Sequence, residues 1–180
     1  MTAKLFASAG ASLQASAEPF TLKSATVAEG GTIGNSHVFA GFGCTGGNLS
    51  PALAWTGAPA DAKSFAVTVY DPDAPTGSGW WHWVVFNIPA GTAGLPEGAG
   101  SAAGTLLPAG SVQSVTDFGQ PGYGGPCPPA GDKPHHYIFT VHALKVDSLP
   151  LDAKASGAMV GFFLGQNAIA KASVTGVYGR

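Results

Sequence analysis

Short runs in which hydrophobic and polar residues alternate predict a mainly β protein. In the segment 65–70, Phe65, Val67 and Val69 fall on one face of a strand, because side chains alternate along extended backbone. Most of these runs end at Gly, Pro or Asp, which favours antiparallel strands joined by turns. The other runs lie at 20–22, 37–39, 52–55, 82–88, 111–116 and 135–144.

Helical spacing of hydrophobic residues is convincing in one segment, residues 153–171. Asp152 stands where a helix N-cap is expected. A last strand at 173–178 then closes the domain, and the Gly- and Ala-rich segment 91–110 is expected to be a mobile surface loop. The residues with helical spacing are Met159, Phe162, Phe163, Gln166 and Ile169.

Composition limits the class of protein. The 180 residues are 45% hydrophobic, enough for one sizeable core, so a single domain over 1–180 is expected. A net charge of −2, with 10% charged residues, provides no broad cationic surface for nucleic acid. No apolar run approaches the ~20 residues of a membrane span, so membrane insertion is not expected.

The N-terminal residues 1–17 carry weak features of a signal peptide. Lys4 precedes a mildly apolar stretch, and residues 15–17 have the small side chains of a cleavage site. The apolar stretch is interrupted by Ser8, Gly10 and Ser12, which favours a retained and loosely attached segment. A cytoplasmic location is therefore expected.

Polar residues suited to binding or catalysis lie at the ends of predicted strands. Pro72 stops the strand that ends near Asp71 and Asp73, so the two carboxylates project from a rigid corner. By alternation, His135 and Tyr137 share one face of their strand, while His136 and His142 share the other. The same count groups His82 with Val84, Phe86 and Ile88.

Several ordered motifs resemble those of the phosphatidylethanolamine-binding protein family, in its bacterial branch that is often labelled Raf-kinase-inhibitor-like. The resemblance covers about residues 20–178 and is specific because several motifs recur at compatible spacing. They are FGCTGGNLSPALAW at 42–55, DPDAP at 71–75, HWVVFNIP at 82–89, GPCPPxGxxxHHY at 125–137 and SGAMVG at 156–161.

The resemblance implies a large antiparallel β-sheet packed with a smaller sheet, a C-terminal helix and a few short helices. It also implies a preformed pocket for phosphate-like anions and phospholipid headgroups, with no required cofactor or metal. The pocket residues carried over by motif, with Gly125 added as a backbone donor, are Asp71, Asp73, His82, Gly125, Cys127, Pro128, Pro129, His135 and Tyr137.

Two aspartates beside an anion pocket need an explanation, and three are open. Asp71 or Asp73 accepts a hydrogen bond from His82 or His135 and raises the pKa of the histidine. Alternatively, an aspartate binds the amine of a zwitterionic headgroup, or one aspartate caps its own turn. We expect Asp71 to be the residue on the ligand side.

The cysteines do not form a disulfide framework or a zinc motif. Cys127 is interpreted as a small apolar filler in its loop, in preference to a reactive thiol. A bridge between Cys44 and Cys127 is left open, since sequence alone does not provide the geometry.

Three classes of function are compatible with these residues. The first is a binding protein for a small anionic or zwitterionic ligand. The second is an enzyme that uses His82, His135 and Asp71 for acid–base chemistry, in hydrolysis or cyclisation. The third is a kinase-inhibitor-like interaction module with an unknown protein partner. A homodimer is plausible because the low charge content leaves apolar surface to cover.

Overall fold

A computed structural model describes residues 18–180. The fold is mainly β with one helix, as the sequence predicts, although the described residues contain none of the additional short helices. The elements in chain order are β1 Thr21–Lys23, β2 Ala40–Gly41, β3 Cys44–Thr45, β4 Leu53–Thr56, β5 Ser64–Asp71, β6 Trp80–Pro89, β7 Gly94–Leu95, β8 Val112–Gln113, β9 His135–Leu144, α1 Gly157–Asn167 and β10 Ala168–Tyr178.

The strands form two main sheets and a small hairpin. The large sheet has the order β10-β9-β5-β6-β8 and is antiparallel throughout. The smaller sheet has the order β1-β4-β7, and β2 pairs with β3 in the hairpin. This arrangement agrees with the predicted large and small sheets.

The main core lies between the two sheets. Phe65, Val67 and Val69 of β5 point into it, as the alternation predicts, and Trp55 of the smaller sheet packs against them. Burial of such side chains provides about 1.5–3 kcal/mol each, which makes this layer the main source of stability.

Helix α1 covers part of the opposite face of the large sheet. Val160 and Leu164 of the helix pack against Ala66, Val84 and Phe86. The helix therefore covers one face of the large sheet, while Asp71 of β5 and His135 and Tyr137 of β9 lie on the other face.

Helix α1 is shorter than predicted. Ser156, not Asp152, caps its N-terminus, because the Ser156 hydroxyl accepts a hydrogen bond from the Met159 amide. Residues 168–171 belong to β10 and pair with β9. Tertiary pairing overrides the helical periodicity at this end, since each extended residue gains ladder hydrogen bonds on a neighbouring strand.

Other boundaries also differ from the sequence expectations. Residues 37–39 form no strand, and the strand expected at 111–116 is reduced to Val112–Gln113. The segment 91–110 contains β7, and Leu95 and Ala99 within it are buried. This segment is therefore partly structured instead of being a plain surface loop.

No helix within residues 18–180 is long and apolar enough to cross a membrane. The N-terminal segment interpreted above as loosely attached, residues 1–17, lies outside the described residues.

Candidate functional site

A cavity of about 220 Å³ opens at the end of the large sheet where β5 ends and β9 begins. Seven of the nine residues proposed from the sequence line it: Asp71, His82, Cys127, Pro128, Pro129, His135 and Tyr137. Six further residues complete the wall: Phe42, Ala74, Pro75, Thr76, Trp80 and Phe118.

His82 reaches this cavity because a β-bulge interrupts the alternation of β6. The register shifts where Val69 pairs with Trp83 and Tyr70 pairs with Trp81, which leaves His82 as the extra residue. Val84 and Phe86 pack on the helix side instead. Grouping His82 with Val84 and Phe86 was therefore wrong, since simple alternation does not continue through a bulge, whereas Ile88 does lie on the main-core face.

The imidazole of His82 has a fixed tautomer. Its Nδ1 lies 2.6 Å from the carbonyl oxygen of Gly124, so Nδ1 carries the proton and donates it. Burial lowers the pKa of His82 to about 4, although the Gly124 hydrogen bond and the Asp71 charge oppose this shift. At neutral pH the ring is uncharged, and its Nε2 is a hydrogen-bond acceptor.

Asp71 combines two of the three roles considered from the sequence. Its Oδ1 accepts hydrogen bonds from the amides of Asp73 at 2.8 Å and Ala74 at 3.1 Å, which closes an Asx turn. Its Oδ2 accepts a hydrogen bond from Nδ1 of His135 at 2.8 Å. Both oxygens of this buried carboxylate are thus occupied by protein donors.

Asp73 does not line the cavity. Its Oδ2 accepts hydrogen bonds from the His136 amide at 2.8 Å and from His136 Nδ1 at 2.7 Å. Those hydrogen bonds lower the pKa of Asp73. Lys133 Nζ lies 3.9 Å from Oδ1. His136 of β9 thus holds the Asp73 carboxylate outside the cavity. The expectation that Asp73 lines the cavity was wrong.

The loop amides expected to act as ligand donors are already used. The Gly124 amide donates to the carbonyl oxygen of His82 at 2.9 Å. The Gly125 amide donates to Oδ1 of Asn48 at 2.8 Å, and Gly125 does not line the cavity. A Cβ at Gly125 would lie 2.0 Å from the backbone oxygen of His37, so this glycine is needed for close backbone packing.

Tyr137 supplies a hydroxyl to the cavity. Its ring packs edge-on against His82, with 5.1 Å between ring centroids, and burial raises the pKa of the phenol. Within residues 18–180, neither the Tyr137 hydroxyl nor Nε2 of His82 has a hydrogen-bond partner. One donor and one acceptor are thus left for a ligand, because a phenol that stays protonated donates.

Cys127 is joined to Cys44 by a disulfide, with 6.0 Å between the Cα atoms. The interpretation of Cys127 as a free apolar filler was wrong, because the β2–β3 hairpin folds against the loop at 126–129. The bridge that the sequence left open is present. It ties the hairpin to the cavity wall and leaves no thiol there for nucleophilic chemistry.

The cavity has no lysine or arginine among its lining residues, and His135 is held there between the carboxylates of Asp71 at 2.8 Å and Asp132 at 3.4 Å. Arg180 lies behind the wall, where Nε donates to the carbonyl oxygen of Pro128 at 2.7 Å. Across residues 18–180, no three His, Cys, Asp or Glu side chains are grouped as a metal site requires. The site therefore combines the Asp71–His135 pair with neutral His82, the Tyr137 hydroxyl and aromatic rings.

A family model for phosphatidylethanolamine-binding protein matches residues 23–179. The chain therefore belongs to the phosphatidylethanolamine-binding protein family. This confirms the resemblance stated from the motifs, and the matched residues include all of the cavity wall.

Two relatives of this family member come from Escherichia coli strain K12. UPF0098 protein YbcL is 58% identical over 164 residues, which cover 91% of this chain and 90% of YbcL. UPF0098 protein YbhB is 53% identical over 150 residues, which cover 83% of this chain and 94% of YbhB. A crystal structure of YbcL, described as a new member of the mammalian PEBP family, aligns with a TM-score of 0.88 and covers 89% of this chain and 98% of that one.

Three of the six cavity residues that the sequence analysis missed are aromatic. Phe118 lies 5.5 Å from Trp80 and 5.9 Å from Phe42 between ring centroids, and these rings surround the mouth. Trp80 lies two residues before His82 in β6, but Phe42 and Phe118 come from distant loops. Their only signal is an aromatic residue directly before a glycine in a Gly-rich turn, which does not distinguish a ligand contact from packing.

Proposed function

We propose that this family member is a binding protein for a small molecule that carries a protonated, singly charged phosphate group. The observation that carries the proposal is that His82 Nε2 and the Tyr137 hydroxyl, which have no hydrogen-bond partner among residues 18–180, belong to residues that line one cavity. Inorganic phosphate and phosphoethanolamine, the free headgroup of a phospholipid, are the simplest sources of this chemistry, because the phosphodiester of an intact phospholipid carries no P–OH proton.

The hydrogen-bonding atoms select the protonation state of the ligand. Tyr137 donates to a phosphate oxygen, whereas neutral His82 accepts and needs a proton on the ligand. The first ionisation of a phosphate leaves such a hydroxyl, and the second, near pH 6 in phosphate monoesters, removes it. A monoanion therefore fits better than a dianion, in a cavity with no lysine or arginine on its wall.

Asp71 does not prevent binding of a monoanion. Two amides and one imidazole already bind its oxygens, which offsets the charge that the cavity experiences. The amine of a zwitterionic headgroup has no free carboxylate oxygen to bind at Asp71. It would instead lie over the aromatic rings of Trp80 and Phe118, where cation–π attraction is about 0.5–2 kcal/mol.

The test is a titration with inorganic phosphate and phosphoethanolamine at pH 6, followed by NMR of the backbone amides. We expect saturable shifts at residues 71, 82, 124 and 137 that disappear in His82→Ala and decrease in Tyr137→Phe. His136→Ala is the matched control, because that imidazole lies outside the cavity on Asp73. Absence of shifts in the wild type at millimolar ligand would overturn the proposal.

Catalysis is the second candidate, and one observation favours it. His82 is a neutral imidazole with a free Nε2, as a general base must be, and it lies in the same cavity as the Asp71–His135 pair. Phosphate release from phosphomonoesters, measured with the titration samples, tests this reading. Turnover that disappears in His82→Ala would favour an enzyme over a binder.

The Cys44–Cys127 disulfide provides an argument about the cellular compartment of the protein. Such bridges persist in oxidising compartments and are rare in a reducing cytosol, so we propose an oxidising compartment in place of the cytoplasm expected from the sequence. Trapping free thiols with maleimide in intact cells tests this, and two modified cysteines in the folded protein would contradict it.

We also propose that the protein forms a homodimer through helix α1. Phe162 and Met159 leave 63% and 49% of their surface exposed on a helix without charged residues. Light scattering across a dilution series tests the proposal, and a monomer at all concentrations would contradict it.

A further inference from the structure

Phe42 combines two unfavourable features at the mouth of the cavity. Its side chain is 68% exposed, and its backbone has a φ of 52°, in the left-handed region. A bulky residue at positive φ is a genuine outlier, because its Cβ crowds the backbone in this region. A glycine or asparagine at this position would remove both costs.

The type of turn at Phe42 makes its positive φ more unusual. Phe42 and Gly43 form the two-residue loop between β2 and β3, and both have positive φ, at 52° and 84°. Two-residue hairpin loops with positive φ at both positions favour Asn-Gly or Gly-Gly. Phe42 breaks a local rule, and its ring packs against Phe39 and Phe118, at 5.2 and 5.9 Å between ring centroids, beside the cavity. Such an outlier is typical of a functional position.

The surrounding structure holds Phe42 in place. Cys44 begins β3 and is bonded to Cys127 in the cavity wall. The Arg180 guanidinium donates to the carbonyl oxygens of Phe42 at 3.2 Å and Gly43 at 3.4 Å. The aromatic side chain is thus preorganised over the opening, and little conformational entropy is lost when a ligand contacts it.

We propose that Phe42 is a ligand-contacting residue that makes the cavity selective for aryl phosphate monoesters, in which an aromatic ring is attached to the phosphate. The inference rests on the proposed binding of a protonated phosphate at His82 and Tyr137. The phosphate lies inside, and the attached ring lies at the mouth among Phe42, Trp80 and Phe118.

The aromatic character of the mouth supports a flat group there. Phe42 and Phe118 are nearly parallel, with an interplanar angle of 17°, and Trp80 meets Phe118 edge-on at 82°. Offset-stacked and edge-on pairs are the geometries that aromatic rings prefer. A third ring can complete both kinds of contact, whereas a saturated ring cannot.

The experiment compares three ligands by calorimetry at pH 6: inorganic phosphate, phenyl phosphate and cyclohexyl phosphate. In the wild type we expect phenyl phosphate to bind about tenfold more tightly than inorganic phosphate, with cyclohexyl phosphate close to inorganic phosphate. In Phe42→Asn we expect the phenyl preference, measured as the ratio of the phenyl phosphate and inorganic phosphate affinities of that variant, to fall to within twofold. The urea midpoint of this variant should be equal to or above that of the wild type, because the strain is relieved.

Phe162→Asn is the matched control, since Phe162 is also an exposed phenylalanine, at 63%, but lies on α1 away from the cavity. It should keep the full phenyl preference. Equal binding of phosphate and phenyl phosphate to the wild type, or a phenyl preference that survives in Phe42→Asn, would overturn the inference while the proposed phosphate site stands. Equal binding of the cyclohexyl and phenyl esters would overturn the aromatic selectivity. Failure of all three ligands to bind the wild type would overturn the phosphate site itself.

Discussion

The carboxylate of Asp71 and the imidazole of His135 are joined by a 2.8 Å hydrogen bond at which two strand ends meet. Asp71 is the last residue of β5, and His135 is the first residue of β9. Because Asp71 also binds the amides of its own turn, one side chain fixes the turn after β5 and the orientation of His135.

Replacing Asp71 should therefore disturb both stability and binding. We expect Asp71→Ala to lower the free energy of unfolding by about 3 kcal/mol, since it breaks a buried pair and leaves two amides without an acceptor. Chemical denaturation measures this loss, and phosphate affinity should fall with it. Asp73→Ala is the matched control and should cost no more than about 1 kcal/mol, because its pairs with His136 and Lys133 are at the surface.

Asn48 connects the segment after β3 to the cavity loop, and its substitution separates two energetic contributions. Its side chain accepts from the Gly125 amide at 2.8 Å and donates to the Tyr123 carbonyl at 3.2 Å, while its φ is 48°. Asn48→Gly should cost about 2 kcal/mol for the two hydrogen bonds. Asn48→Ala should cost about 1 kcal/mol more, because alanine disfavours positive φ. Equal urea midpoints for the two variants would show that backbone strain is negligible here.

Much of the fold could be predicted from the sequence because the relevant signals are local. The alternation of Phe65, Val67 and Val69 directly reports which face of β5 is buried. The helical periodicity of residues 153–171 is also local, but pairing of Lys171 with His142 converts the end of that segment to strand. No periodicity within the segment encodes that competition.

The candidate site also combines features that local sequence signals predict with features that depend on non-local contacts. His82, His135 and Tyr137 line one cavity, as expected from the motifs that contain them. The roles of individual atoms depended on non-local partners that spacing does not report. Gly125 donates to Asn48, 77 residues away, and Asp73 is held by His136, 63 residues away. The position of His82 depended on a bulge, whose presence is set by pairing with β5.

Because His82 and His142 have lowered pKa values, we expect the free energy of unfolding to decrease in mild acid. Burial lowers the pKa of His82 and of His142 from 6.5 to about 4. Between these values each histidine binds more protons in the unfolded chain than in the native protein. Its contribution is therefore complete above pH 6.5 and is lost as the pH falls from 6.5 to 4.

The size of this effect is measurable by urea denaturation from pH 7 to pH 4. The two histidines together should reduce the free energy of unfolding by several kcal/mol, at up to roughly 3 kcal/mol each. His142→Gln should remove about half of the pH dependence, because glutamine keeps a polar contact with the Thr68 hydroxyl but does not titrate. His136→Gln, at an exposed position on the same strand, serves as the control. An unchanged pH dependence in His142→Gln would contradict the prediction.

Reduction of the Cys44–Cys127 disulfide should weaken both the fold and the site. The bridge closes a loop with a sequence separation of 83 residues. Chain-entropy arguments assign about 4 kcal/mol to a loop of this length, so dithiothreitol should lower the free energy of unfolding by about that amount. The β2–β3 hairpin would then be held to the cavity wall mainly by Arg180, through its bonds to Pro128 and Phe42.

The Cys44→Ser/Cys127→Ser variant separates loss of the bridge from side reactions of dithiothreitol. It should resemble the reduced wild type in urea midpoint and be insensitive to dithiothreitol. Arg180→Ala should add its own loss to the double variant, because the guanidinium is then the remaining side chain that ties residues 42–43 to 128. If reduced and oxidised wild type have the same midpoint, the bridge does not constrain the unfolded chain and the rigidity of the hairpin has another source.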